Sequence, residues 1–174
     1  MLCKFTPSLT EPEPSMNNAT AKRLYLEDLH VGDRFVSGDH ALDVQQIIDY
    51  ARQFDPQPFH VDPEAAKHTF FCGLAASGWH TASLTMKLLV ASLPFGDGVI
   101  GGGCDELAWP QATRPDDVLH VESEVLELIP SRSRPDRAMV RMRCETKNQR
   151  GEVLQRFMPR LVVFKRPAPV PSGP

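Results

Sequence analysis

"GWHTASLTMKLLVASL", residues 78–93, decides how the rest of the chain must be arranged. Trp79, Ala82, Met86, Leu89 and Leu93 recur at helical spacing along one side, and Leu84, Leu88 and Ala91 along another; Lys87 is the only residue charged at neutral pH. A helix that is apolar nearly all round is a buried one. The segment therefore predicts a central helix opening at Gly78, with Ser77 as its cap. Whatever buries it must come from the remaining chain.

Downstream, Val99 to Trp109, Val118 to Ile129, Ala138 to Lys147 and Val153 to Phe164 are long runs rich in Val, Leu and Met. Val140, Met142, Cys144 and Thr146 alternate with Arg141, Arg143, Glu145 and Lys147, the period of a half-buried strand. "KNQRGEV" (147–153) joins the last two runs as a hairpin turn. Pro159 cannot donate to a ladder, so it predicts an edge or a bulge in the final strand. Upstream, Asp33 to Leu42 reads as a first strand. Asp43 then caps a helix, with Gln46 completing a capping box and Val44, Ile47, Ile48 and Ala51 as its apolar stripe. One strand, a helix, a buried helix and four antiparallel strands give an α+β fold, a curved sheet wrapped around the central helix.

A chain of 174 residues fits one domain, expected over residues 21–165. A disordered tail is expected over residues 1–20 and a flexible Pro-rich tail over residues 166–174. The net charge of −3 gives no case for nucleic acid. Cys3, Cys72, Cys104 and Cys144 are scattered without a CxxC pair, which argues for reduced thiols in a cytoplasmic protein. The first residues lack the apolar core of a secretory signal. The most apolar run, Leu74 to Leu93, is too polar to span a membrane.

"FDPQPFHVDP" (54–63) places Asp55, His60 and Asp62 within eight residues of one another, with three prolines. Asp55, Gln57 and Asp62 each precede a proline and are pushed toward extended geometry, so the path is stiff. Asp62-Pro63-Glu64 is a helix start, which gives Asp62 an ordinary capping role. Asp55 stands at the exit of the first helix, and His60 by itself reads equally as a surface histidine beside a turn or as a functional loop residue. A metal set of His60, Asp62, His68 and His80 is disfavoured by irregular spacing and by the capping role of Asp62.

"DPQPFH" (55–60), "VDPEAA" (61–66) and "SGWHT" (77–81) together resemble the MaoC-like dehydratase family, also called the (R)-specific enoyl-CoA hydratases, of hotdog fold. The likeness extends over roughly Leu24 to Phe164 and includes "GGGCDELAWP" (101–110). Gln57 departs from the family's usual Asn. The resemblance implies a homodimer with an acyl-thioester tunnel at its interface and reversible hydration of trans-2-enoyl-CoA to the (R)-3-hydroxyacyl-CoA. It implies no cofactor and no metal, coenzyme A entering only as part of the substrate. It also implies Asp55 and His60 as the catalytic pair on one water, and Gly78 as the backbone donor to the thioester carbonyl. Ser77 and His80 are the further residues expected at the substrate.

The chemistry is consistent with these residue types. Adding water to a conjugated thioester needs groups that move protons near neutrality and a donor for the enolate oxygen, such as a helix N-terminus. Desolvation by Phe54 and Phe59 is expected to raise the Asp55 pKa. Trp79 reads as packing, and His80 either as a core hydrogen-bonder or as part of the site. Arg132, Arg134 and Arg137 form a basic loop that fits either coenzyme A phosphates or a solvated hairpin tip. Two rival functions remain: a hotdog thioesterase, in which water attacks the carbonyl, and a non-catalytic acyl-CoA-binding module.

Overall fold

The computed structural model describes residues 22–168, so the tail expected over residues 1–20 lies outside the described residues, as does most of that expected after Lys165. Arg166, the first residue of that C-terminal tail, is held in place. Its guanidinium bonds Asp28 at 2.5 Å and lies 4.6 Å from the ring centre of Tyr25.

The elements run β1 (Arg34–Val36), β2 (His40–Ala41), α1 (Val44–Phe54), α2 (Pro58–Val61), α3 (Pro63–Ala66), α4 (Gly78–Ser92), β3 (Ile100–Ala108), β4 (Val118–Pro130), β5 (Arg137–Lys147) and β6 (Val153–Phe164). The first strand expected over Asp33 to Leu42 is two short ones, both paired to β4 and separated by Ser37-Gly38-Asp39. The sheet order is β1-β4-β5-β6-β3, antiparallel throughout. β5 alternates as its sequence requires. Ala138, Val140, Met142, Cys144 and Thr146 are buried, while the opposite face pairs Arg143 with Glu124 and Arg156 with Glu145. Such exposed ion pairs contribute up to about 1 kcal/mol each; the buried face holds the sheet to α4.

One core cluster joins the two layers, with Leu84, Leu88 and Leu89 of α4 packed among Val121, Val125, Met142 and Phe157 of the sheet. α4 is not covered all round, however. Trp79, Met86 and Val90 are 59%, 43% and 58% exposed, whereas Thr81 and Thr85 lie inside. The all-round apolar pattern thus combines a core face with an uncovered one. β3 is the neighbouring sheet edge, and its residues are mostly exposed. Pro159 sits not at an edge but within β6, opposite Cys104, and the irregularity falls on β3, which bulges at Gly101/Gly103 and Asp105/Ala108.

Candidate active site

α1 delivers Asp55. Asp43 caps the helix, its carboxylate accepting from the Gln46 N–H at 2.8 Å. The Gln46 side chain closes back on that carboxylate (3.0 Å) rather than on the Asp43 N–H, so the cap forms without the reciprocal half of a capping box. The chain leaves α1 at Asp55, and Pro56 prevents continuation. Gln57-Pro58 then starts a turn of helix that sequence reasoning did not anticipate, because four residues show no periodicity. That turn, α2, carries His60 inward to 4% exposure. Asp62 ends it and caps α3, accepting from the Glu64 and Ala65 N–H groups.

The two candidate residues meet. His60 Nε2 is 3.4 Å from Asp55 Oδ2. His60 Nδ1 is 2.7 Å from the Ala75 carbonyl oxygen, which can only accept, so Nδ1 carries the proton. In the neutral ring Nε2 is therefore an acceptor, and it faces a carboxylate that is also an acceptor. Such a pair is satisfied by a group donating to both, and a water molecule has two O–H bonds with which to do so.

The surroundings fix the carboxylate. Ser77 Oγ donates to Asp55 Oδ2 at 2.7 Å and accepts from the Trp79 N–H at 3.2 Å, so one hydroxyl both caps α4 and holds the carboxylate. Gln57 donates to Oδ1 at 2.7 Å. Burial pushes the Asp55 pKa up, but the Ser77 and Gln57 hydrogen bonds and the nearby His60 outweigh it and hold the carboxyl below its ordinary value of 3.8. The rise expected from the sequence is thereby reversed. The missing element was the donors, which come from residues 2 and 22 positions away.

A cavity of about 390 Å³ opens in front of His60, bounded also by Gln57, Phe59, Phe71, Gly78 and Trp109. The Asp55 carboxylate stands behind this wall rather than on it, with its side chain 20% exposed. The loop between α3 and α4 is clamped from outside: Arg114 donates to the carbonyls of Phe71, Gly73 and Leu74. Nothing in the sequence marked Arg114 for this task. Gly78 opens α4 on the cavity, and among the described residues no group accepts from its N–H. Its glycine identity has a reason the sequence did not reveal. A Cβ there would meet the Trp109 indole at 2.7–3.0 Å.

His80, expected at the substrate, is not on the cavity wall. It is 5% exposed, its ring stacks on Tyr50 at 4.4 Å, and its Nδ1 has no hydrogen-bond partner among the described residues. Desolvation, with His40 nearby, pulls its pKa down to about 4. Arg132 and Arg134 sit at the β4–β5 hairpin tip, and Arg137 bonds Asp136 and lies over Phe164. The cavity flanks the other end of these strands, the length of β5 away, roughly 30 Å at 3.3 Å per residue. The basic loop is therefore not beside this chain's own cavity. Among the described residues no three His, Cys, Asp or Glu side chains cluster as a metal site, and no helix is long and apolar enough to cross a membrane.

Comparison with known proteins agrees with this geometry. The MaoC-like domain family matches residues 29–148. The structure of a MaoC-like dehydratase from Rhodospirillum rubrum superposes with a TM-score of 0.81 at 58% identity, covering 83% of this chain and 99% of the other. An (R)-hydratase from A. caviae involved in PHA biosynthesis superposes with a TM-score of 0.63 at 25% identity, over 80% of this chain and 99% of its own. An uncharacterized Bacillus subtilis protein, YdeM, is 32% identical over 109 residues, 62% of this chain and 77% of YdeM. The chain belongs to the MaoC-like domain family, and its curved antiparallel sheet around α4 is the hotdog fold of those relatives.

Proposed function

We propose that the protein hydrates trans-2-enoyl-CoA thioesters to (R)-3-hydroxyacyl-CoA, and catalyses the reverse dehydration. The observation that carries this reading is the facing of two acceptors, Asp55 Oδ2 and His60 Nε2, across 3.4 Å beside a cavity that Gly78 also lines. A water donating to both acceptors points its lone pairs outward, toward the β-carbon of a bound enoyl group. As the C–O bond forms, the pair takes one proton from the water and returns one to the α-carbon, so that one H₂O is added overall. The electron pair displaced from the double bond moves onto the thioester oxygen, to which the Gly78 N–H at the positive end of α4 donates a hydrogen bond. Mutational removal of one such donor typically costs about 3 kcal/mol.

A thioesterase would direct water to the carbonyl carbon instead. Pairing the carboxylate with an imidazole of fixed tautomer favours the β-carbon, since addition there requires a proton at carbon as well as one from water. The working unit we infer is a homodimer. β3 is a nine-residue edge strand, a length seldom left unpaired, and it lies beside the uncovered Trp79, Met86 and Val90 of α4. Light scattering on the purified protein should give twice the chain mass.

The test of the reaction is one cuvette. Crotonyl-CoA is added while conjugated-enoyl absorbance and free thiol are followed together. Loss of absorbance without thiol is expected. Thiol release would establish the thioesterase, and binding without either signal would establish the acyl-CoA-binding module.

A further inference from the structure

Trp109 connects two features that are otherwise unexplained, the glycine at the start of α4 and a glutamine buried in the core face of β6. The indole rests on Gly78, where no side chain would fit beneath it. It also meets Trp79 edge-on, ring centres 5.5 Å apart. Its Nε1–H donates to Gln155 Oε1 at 2.8 Å.

Gln155 is 1% exposed, and a buried amide is costly unless both of its ends are bonded. Indole nitrogen can only donate, so Oε1 faces Trp109 and Nε2 faces Thr85 Oγ1, 3.1 Å away. The Thr85 hydroxyl donates to the Thr81 carbonyl at 2.8 Å, which leaves its lone pairs for Gln155 and for Thr146 Oγ1 at 2.6 Å. Every member of this chain of bonds is satisfied, and it runs from the centre of the sheet to a single exposed-side group, the indole. The arrangement aims one ring and holds it.

Two spaces lie near the ring. One is the cavity of about 390 Å³ lined by His60 and Gly78, with Trp109 on its wall. The other, of about 360 Å³, lies between α4 and β3–β6, bounded by Trp79, Met86, Leu107, Gln155, Phe157 and Leu161 but not by Trp109 itself, and its outer side is the uncovered face of α4 and β3 on which the partner subunit of the inferred homodimer would close. Both groups that grip the indole, Trp79 and Gln155, are on the wall of this second space. It is apolar but for Gln155 and a cysteine, as a site for hydrocarbon is.

We propose that Trp109 sets the acyl-chain length of this protein: the indole partitions the apolar space along α4, so that short acyl groups fill the first chamber and longer ones reach the second only when the indole moves. This rests on the acyl-thioester reading above. Gln155 acts through Trp109 as a positioning residue.

The test compares crotonyl-CoA with trans-2-octenoyl-CoA by kcat/KM, and the unreactive butyryl-CoA with octanoyl-CoA by calorimetry. Wild type and Trp109→Ala are measured side by side. Wild type should favour the short member of each pair. Trp109→Ala should raise the long-to-short ratio by about tenfold or more, the scale of a few methylenes gaining a pocket. Gln155→Leu should shift it the same way by less. Should Trp109→Ala not fold, Trp109→Phe, which loses the N–H and narrows the ring, is read by the same ratio. An unchanged ratio, as would follow if a partner subunit fills the second chamber, overturns the proposal. If wild type binds acyl-CoA but hydrates none, and the calorimetric ratio still shifts, the partition stands and the hydratase reading falls. If no acyl-CoA binds at all, both fall.

Discussion

Two histidines lie near the start of α4, both almost completely buried, and they are opposites. His60 has its Nδ1–H on the Ala75 carbonyl and its Nε2 3.4 Å from a carboxylate, at the edge of a cavity. His80 has an Nδ1 without a partner among the described residues, an aromatic ring against its face and no place on the wall of that cavity. Burial alone does not separate them. The difference lies in what each nitrogen faces: a buried imidazole with a fixed tautomer and an acceptor beside its free nitrogen is poised to handle protons, while one stacked on Tyr50 is held neutral.

The largest expected effect breaks the His60 side of this contrast. Asp55→Asn replaces one acceptor with an amide of the same shape, and hydration of crotonyl-CoA should fall about 10²–10⁴-fold while the circular dichroism spectrum is unchanged. His60→Ala should lose turnover to a similar degree. It should also lower the urea midpoint, because the buried Ala75 carbonyl is left without its donor, at a cost of about 1–3 kcal/mol.

The His80 side is broken by pH. Its folded pKa of about 4 lies below the ordinary 6.5, so between those values the unfolded chain takes up a proton that the folded chain does not. Stability should therefore fall as pH drops through that window, by on the order of 3 kcal/mol at most, and His80→Phe should flatten that part of the profile in urea titrations while turnover is retained. A profile that stays as steep in the variant would mean the destabilisation comes from other groups.

Ser77→Ala gives the smallest effect and sharpens the comparison most finely. It removes a donor from Asp55 and a cap from α4, so the melting temperature should fall by the equivalent of about 1 kcal/mol. Since the hydrogen bonds hold the Asp55 carboxyl below 3.8, the carboxylate should stay ionised well into acid, as followed by the NMR shift of that carboxyl carbon. In the variant the Asp55 carboxyl should titrate at a higher pH, and that shift is the readout.

Much of the arrangement could be read from the chain because the signals were local. Asp43, Asp62 and Ser77 are helix caps recognisable within three residues, and the alternation through β5 shows its buried face directly. Pairing Asp55 with His60 needed only the stiff path of "DPQPFH" together with the family likeness. What stayed hidden was set by partners distant in sequence. Ser77 reaches Asp55 across 22 residues and reverses the direction of its pKa. Trp109 explains Gly78, and Gln155 explains Trp109, across 46 residues. The uncovered face of α4 was misread for the same reason: an apolar pattern states that a surface will be covered, not whether its own chain covers it.

The most direct measurement is a crystal structure at about 1.2 Å or better, where solvent and proton positions become visible. An ordered water within about 2.6–3.2 Å of both Asp55 Oδ2 and His60 Nε2, with its remaining side open to the cavity and to the Gly78 N–H, is the expected result. Two side chains turned apart, or locked directly onto each other with no solvent between them, would contradict the proposed chemistry at its root.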